Sequence, residues 1–246
     1  MRTITEDLKI EYLLDSAVLI EMGGRKALID GLPSDRNTFD VMPPELEEDI
    51  MAGKGDFEGL KDLFFTHCHG DHMSGRKLTA YLERNADSFV AVPGNAEIDF
   101  GRFEAAGTGF FIPKGEKGQL RQVPSGTAAL DFEYMRTAHL TFDYPEHYAY
   151  NFLEGDTNVI FTGDMDLIKL RMLSGFTMRR HPVIFLNSII LWHKRWCDII
   201  DEMGFEKVFV YHVPSGERDI WGYREKALKH WPENGLHRSN WEILNL

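Results

Sequence analysis

Short apolar stretches, separated by glycine, proline and polar residues, run along most of the chain. Many of them alternate apolar and polar positions or are too short for a helix, which is typical of strands in a sheet. The Gly23-Gly24 pair between two such stretches predicts a hairpin turn. The predicted strands cover residues 8–14, 17–22, 25–29, 63–65, 89–92, 110–112, 120–123, 129–136, 148–153, 158–161, 183–186 and 208–211.

Apolar residues at helical spacing follow several of these strands. In each half of the chain strands are therefore combined with helices, a pattern that predicts an α/β protein with two packed sheets flanked by helices. No repeat or linker divides the 246 residues, so we expect a single domain, 1–246. The predicted helices cover about 45–51, 74–85, 95–106, 188–203 and 223–230.

The composition excludes several classes of function. Hydrophobic residues make up 43 % of the chain and charged residues 27 %, as in an ordinary globular protein. The net charge of −12 argues against nucleic-acid partners, which require stripes of Lys and Arg. No apolar stretch approaches ~20 residues, so we expect no membrane span. Two cysteines give no disulfide framework and the N-terminus has no apolar signal segment, so we predict a cytoplasmic protein.

The closest grouping of potential metal-binding side chains is Thr-His-Cys-His-Gly-Asp-His, residues 66–72, directly after a predicted strand. Side chains alternate along a strand, so His67 and His69 leave its end on one face. The glycine after them lets the chain turn and aim Asp71 and His72 at the same point. Imidazole and carboxylate groups together suit zinc, iron or manganese. Crowding them is costly unless something pairs with them, which favours a metal site over a histidine-rich loop that binds nothing.

This segment resembles the His-x-His-x-Asp-His signature of the metallo-β-lactamase superfamily. The resemblance implies a four-layer αββα sandwich, with further ligands at the ends of later strands. Three residues follow predicted strands in the required order: His139, Asp164 and His212. By the resemblance, His67, His69 and His139 hold one metal, Asp71, His72 and His212 hold a second, and Asp164 bridges the two.

This ligand set predicts an enzyme. Two metals about 3.5–4 Å apart share a water, lower its pKa towards ~7 and present hydroxide as the nucleophile. Asp71 and Asp164, the two carboxylates among the ligands, are the predicted catalytic residues. Zinc is the favoured metal, with iron or manganese as alternatives. We therefore predict a metal-dependent hydrolase that acts on a small-molecule substrate with an ester-like bond.

Differences from known branches of the superfamily narrow the set of candidate reactions. The typical β-lactamases have a cysteine where this chain has Asp164, and the diiron, flavodoxin-linked oxidoreductases have a glutamate where it has His69. A phosphoester or phosphodiester is the preferred substrate, and a lactone, other carboxylic ester or thioester is the second choice. A diiron redox protein on the same ligands is the alternative from another class. The sequence does not indicate an oligomeric state.

Several residues near the predicted site have two readings. Asp30, at the end of a predicted strand, matches an aspartate that supports the ligands in the superfamily, and an ordinary turn residue is the alternative. His147 and Tyr148 are candidate proton donors in the substrate pocket, unless they lie in a surface loop. The polar stretch 34–59 either overhangs the site as a lid or lies elsewhere on the surface.

Overall fold

Two seven-stranded sheets form the structure, a computed structural model that describes residues 1–36, 38–141, 146–215 and 217–245. The first sheet contains, in spatial order, β1 (Arg2–Thr3), β2 (Leu8–Leu14), β3 (Ala17–Met22), β4 (Arg25–Ile29), β5 (Asp62–Phe64), β6 (Phe89–Ala91) and β7 (Gly109–Phe111). The second contains, also in spatial order, β8 (Leu120–Gln122), β9 (Asp131–Thr137), β10 (His147–Glu154), β11 (Thr157–Phe161), β12 (His181–Asn187), β13 (Lys207–Tyr211) and β14 (Trp241–Ile243).

Both sheets have the same topology, although the sequence shows no repeat. In the first sheet β1 to β4 pair antiparallel, and β4 to β7 pair parallel. In the second sheet β8 to β11 pair antiparallel, and β11 to β14 pair parallel. Parallel strands in one sheet end at the same edge, where open α/β sheets commonly bind ligands. The predicted ligands follow strands at this edge of each sheet.

The strands distribute their side chains between separate cores. On β11, Val159 and Phe161 face the core between the sheets, whereas Ile160 faces the helices that cover the second sheet. On β3, Ile20 faces the core between the sheets and Leu19 faces the helices that cover the first. Helices therefore pack on the outer face of each sheet. These four layers confirm the predicted αββα sandwich.

The helices agree with the sequence pattern except in two places. The predicted helix 95–106 is reduced to a short helix at 100–104. The Asp99 side chain accepts a hydrogen bond from Arg102 N at 3.1 Å, which caps the helix there and delays its start.

No helix in the described ranges is long and apolar enough to cross a membrane. The single domain and the cytoplasmic location stay predictions. The α-helices are α1 (Pro44–Ala52), α2 (Gly75–Arg84), α3 (Phe100–Glu104), α4 (Lys194–Glu202) and α5 (Tyr223–Asn234), and the 3-10 helices are Gly55–Phe57, Leu167–Gly175 and Ser188–Trp192.

The predicted helix 188–203 is broken at His193. A 3-10 helix ends just before it and α4 begins just after it, because the backbone of His193 is extended (φ −136°, ψ 115°). Asn187 starts this arrangement, since its side-chain oxygen accepts a hydrogen bond from Ile189 N at 3.1 Å and closes a tight first turn. The His193 ring packs edge-on against Trp196, with the ring centroids 4.3 Å apart.

Candidate metal centre

The seven predicted ligands lie together on loops that follow β5, β9, β11 and β13. They form two groups, and within each group one ligand atom from every residue lies within 4.8 Å of the others. The structure therefore brings side chains from distant segments of the chain together. The groups are His67, His69, His139 and Asp164, and Asp71, His72, Asp164 and His212.

Asp164 belongs to both groups and lies between them. Its Oδ2 atom is 3.6 Å from Nε2 of His139 and 3.6 Å from Nε2 of His72. Its Oδ1 atom is 3.5 Å from Nε2 of His212. Burial alone would raise the pKa of Asp164, but the neighbouring His212 and His72 hold that pKa well below its ordinary value. Asp164 is thus an ionised carboxylate with each oxygen facing a different set of imidazoles.

Gly163 permits this placement of Asp164. Its φ is +52°, and a Cβ there would lie 2.6 Å from Oγ1 of Thr66 and 2.8 Å from Nε2 of His147. Both the positive φ and the missing space require glycine. Asn187 then orients the carboxylate, because its Nδ2 donates to Oδ1 of Asp164 at 2.6 Å.

Asp30 is fully buried behind the 66–72 segment. Its Oδ1 accepts a hydrogen bond from the Thr66 amide at 2.8 Å, and its Oδ2 accepts from the Thr66 hydroxyl at 2.7 Å. The same Oδ2 lies 2.8 Å from Nδ1 of His72. Asp30 is therefore buried against the ligand segment, and its supporting role stays a prediction.

Asp15 supports His212 in a similar way, and sequence analysis missed it. The Nδ1 atom of His212 is 3.0 Å from Oδ1 of Asp15, and the His212 amide donates to the Asp15 carbonyl at 3.0 Å. Asp15 lies in the turn between β2 and β3 with φ +43°, a position where aspartate is common. Nothing in the local sequence distinguishes it from a turn residue. Asn187 was also missed, because nothing in the local sequence marks it as a partner of Asp164.

The supporting contacts decide which nitrogen of two rings faces the centre. A carboxylate only accepts hydrogen bonds, so His72 donates its Nδ1–H to Asp30, and the neutral form of the ring has its lone pair on Nε2. The Thr66 hydroxyl gives its single proton to Asp30. His67, whose Nδ1 is 3.1 Å from that hydroxyl, must therefore be the donor to it. Its Nε2 also carries a lone pair.

The spacing of the ring nitrogens fits bound cations. His72 Nε2 and His212 Nε2 are 3.2 Å apart, and His67 Nε2 and His69 Nδ1 are 3.1 Å apart. Two nitrogens that are each ~2.0 Å from a tetrahedral zinc ion lie about 3.3 Å from one another. Lone pairs this close repel unless a proton or a cation lies between them. The donor set is therefore suited to divalent metals.

His139 differs from the other imidazoles. Its Nδ1 accepts a hydrogen bond from the backbone amide of Thr141 at 2.9 Å. The neutral ring then carries its proton on Nε2, the atom that is 3.6 Å from Asp164. Metal binding through this nitrogen requires the Thr141 contact to change.

His147 and Tyr148 do not lie in a surface loop, and neither lines the cavity beside the ligands. His147 is buried behind them, with its ring centroid 5.1 Å from that of His67 and 5.5 Å from that of His139. Tyr148 faces the core between the sheets and donates its hydroxyl to the Pro113 carbonyl at 2.9 Å. Burial raises the pKa of Tyr148 to about 12. The prediction that these two residues donate protons to substrate is therefore corrected.

A cavity of about 520 Å³ opens beside both groups, within the usual size range for small-molecule sites. Ser34, Arg36, Thr38 and Phe39 line part of it, whereas α1, later in the same stretch, packs against α2. Among the described residues of the predicted lid, only those at its beginning therefore border the site. The described lining consists of the ligands His69, Asp71, His139 and Asp164, the polar or small residues Ser34, Arg36, Thr38, Gly70 and Thr141, and the apolar or aromatic residues Phe39, Leu140, Trp221 and Tyr223.

Sequence comparison gives one partial relative. The UPF0173 metal-dependent hydrolase of Alkaliphilus metalliredigens is 37 % identical to this chain over 79 residues. The match covers 32 % of this chain and 29 % of the relative's length. No family model matches the chain.

Solved structures share the fold over nearly the whole chain. Igni18, a metallo hydrolase from Ignicoccus hospitalis, has a TM-score of 0.57 at 15 % identity, covering 90 % of this chain and 91 % of its own. Tm1679, a metal-dependent hydrolase of the β-lactamase superfamily, has a TM-score of 0.58 at 12 % identity, covering 96 % and 95 %. CmlA, a diiron β-hydroxylase from Streptomyces venezuelae, has a TM-score of 0.57 at 14 % identity, covering 98 % of this chain and 53 % of its own. These structures share the fold of this chain, and its ligand set follows the order that the resemblance to the metallo-β-lactamase superfamily implies.

Proposed function

We propose that the chain is a metal-dependent hydrolase with two divalent cations, zinc by preference, that cleaves a small ester-like substrate. The observation that supports this most is the pair of ligand groups that share Asp164 beside a cavity. When bound, two such cations lower the pKa of a water towards ~7 and neutralise charge on the reacting group. The proposed ligands are His67, His69 and His139 for one cation, Asp71, His72 and His212 for the other, and Asp164 for both.

The chain's own residues prepare this site. Asp30 and Asp15 hold His72 and His212 from behind, so the Nε2 atoms of both rings face inward before any metal arrives. Rings that are already oriented lose little conformational freedom on binding, and supporting contacts of this kind raise metal affinity. Asp71 and Asp164, the predicted catalytic residues, act in this proposal by holding and orienting the cations.

A phosphoester or phosphodiester remains the preferred substrate. Arg36 lies on the cavity wall with an exposed side chain, and a guanidinium group matches the geometry of phosphate oxygens. Because the chain as a whole is acidic, this attraction is local and selects a small anion over a polyanion. A lactone, other carboxylic ester or thioester is the second choice, since the same centre suits an ester carbonyl.

A diiron redox protein is the alternative from another class. The diiron β-hydroxylase CmlA shares the fold, and histidine and carboxylate ligands suit iron as well as zinc. Metal analysis and visible absorption of anaerobically purified protein separate the two proposals. Bound iron with a colour that depends on redox state favours the redox protein, whereas colourless zinc protein favours the hydrolase.

The proposed hydrolase is tested by a screen of metal-reconstituted protein. Zinc, manganese and iron forms are assayed against chromogenic phosphodiesters, phosphomonoesters, lactones and thioesters. We expect Asp164→Ala to lose one metal and nearly all turnover while circular dichroism shows a folded protein. The matched control is Asp156→Ala, which removes an exposed turn aspartate. Unchanged turnover or metal content in Asp164→Ala would contradict the bridging role.

A further inference from the structure

Two chemically different groups of residues line the cavity. One group consists of metal ligands, and the other consists of aromatic rings. We propose that these rings, the aromatic wall of Phe39, Trp221 and Tyr223, bind a planar aromatic group, so that the substrate is a phosphoester that carries such a group. The phosphoester part rests on the function proposed above, whereas the aromatic part rests on the wall alone.

The wall starts at a proposed metal ligand. The Phe39 ring packs edge-on against His212, with the centroids 5.0 Å apart, and lies 5.8 Å from the Tyr223 ring. Tyr223 also stacks on Trp192 at 5.9 Å with an interplanar angle of 26°. Two of the three rings are therefore held in place by packing. A ligand that stacks on fixed rings does not have to order them, which improves its affinity.

Trp221 is the exposed end of the wall. Its side chain is 57 % exposed although it lines the cavity, and none of the ring contacts between described residues involves it. A contiguous apolar surface often marks a ligand-binding site, and Trp221 lines this cavity together with two further rings. Ile220, the preceding residue, is 69 % exposed but does not line the cavity. Of these two exposed neighbours, Trp221 is the one that lines the cavity.

Charge on the cavity wall indicates how the substrate is oriented. The proposed cations would attract the anionic part of a substrate towards the ligands, and the guanidinium of Arg36, which lines the same cavity, adds to this attraction. The uncharged part then faces the wall. Stacked aromatic pairs gain roughly twofold to tenfold in affinity beyond the area they bury. A planar ring therefore suits this wall better than an aliphatic group of the same size.

Calorimetric titration of zinc-reconstituted protein tests the proposal without turnover. Phenylphosphonate and cyclohexylphosphonate carry the same anionic group but differ in planarity. We expect the wild type to bind phenylphosphonate more tightly, by roughly twofold to tenfold. Trp221→Leu should reduce this preference, because one of the three rings is lost, and Trp221→Phe should retain it. Ile220→Ala is the matched control and should behave as wild type.

The possible outcomes distinguish a failure of the aromatic wall from a failure of the proposed phosphoester function. Equal affinity for the two phosphonates in the wild type, or an unchanged preference in Trp221→Leu, would overturn the aromatic wall. If neither phosphonate binds, the same proteins are titrated with benzoate and cyclohexanecarboxylate. A preference for benzoate that depends on Trp221 would then support the wall and count against the phosphoester. No such preference would overturn the wall as well.

Discussion

His212 points its Nδ1 atom at Asp15, 3.0 Å away, across the two sheets of the sandwich. His72 makes the corresponding contact with Asp30 at 2.8 Å. Each of these two proposed ligands therefore has its own buried carboxylate behind it. The two carboxylates come from turns in the first sheet, so the first half of the chain orients a ligand that the second half supplies.

Replacing Asp15 by asparagine should weaken the metal group that contains His212. The variant removes the negative charge behind the ring but keeps a residue that tolerates φ +43°. We expect affinity for one of the two metals to fall about 10–100-fold, with little change in fold. Metal analysis after dialysis against a weak chelator measures this. Asp156→Asn, on an exposed turn, is the control, and retention of both metals by Asp15→Asn would contradict the role of Asp15.

Removing metal should lower the melting temperature. Ring nitrogens 3.1–3.2 Å apart repel one another unless a cation or proton separates them, and cations bind only the folded site. At a free metal concentration one hundred times Kd, binding adds about 2.7 kcal/mol to the free energy of unfolding. Thermal melting with zinc and with EDTA measures the difference. Asp164→Ala should respond less to zinc, and an identical response would count against the shared ligand.

Gly163→Ala should destabilise the protein more than Gly24→Ala. Both positions have a positive φ, which costs about 1–2 kcal/mol for a residue with a Cβ. At Gly24 the added Cβ meets no atom within 4 Å, whereas at Gly163 it lies 2.6 Å from the Thr66 hydroxyl. Relief of that overlap should cost a further 1–3 kcal/mol, roughly. Urea unfolding compares the two variants, and equal losses would show that the overlap is relieved without cost.

The two thiols should differ in reactivity. Cys197 is fully buried and donates to the Ile190 carbonyl at 3.3 Å, and burial raises its pKa to about 12. A thiol with that pKa is ionised to roughly one part in ten thousand at pH 8. Iodoacetamide at pH 8 should therefore leave Cys197 unmodified in the native protein and modify it in urea. The partly exposed Cys68 is the internal comparison, and mass spectrometry that finds native Cys197 alkylated would contradict its burial.

The sequence predicted most strands to within two residues, because apolar stretches bounded by glycine and proline are a local signal. The sequence-based prediction was wrong where a specific contact overrides the local pattern. The helical spacing of residues 188–203 is real, but Asn187 closes a tight first turn and donates to Asp164 at the same time. The edge strand β14 was missed because its three residues, Trp241–Ile243, are too few to give a recognisable strand pattern.

The sequence alone determined the candidate ligands of this protein. Alternation along a strand and a turn at Gly70 bring His67, His69 and His72 towards one point, and that geometry is local. Only the tertiary structure decided what surrounds them. Asp15 behind His212, the burial of Tyr148 and the aromatic wall all depend on contacts between distant segments, and such contacts leave no pattern along the chain. The residue type at a position determines the chemistry of its side chain, whereas packing determines which partners that side chain contacts.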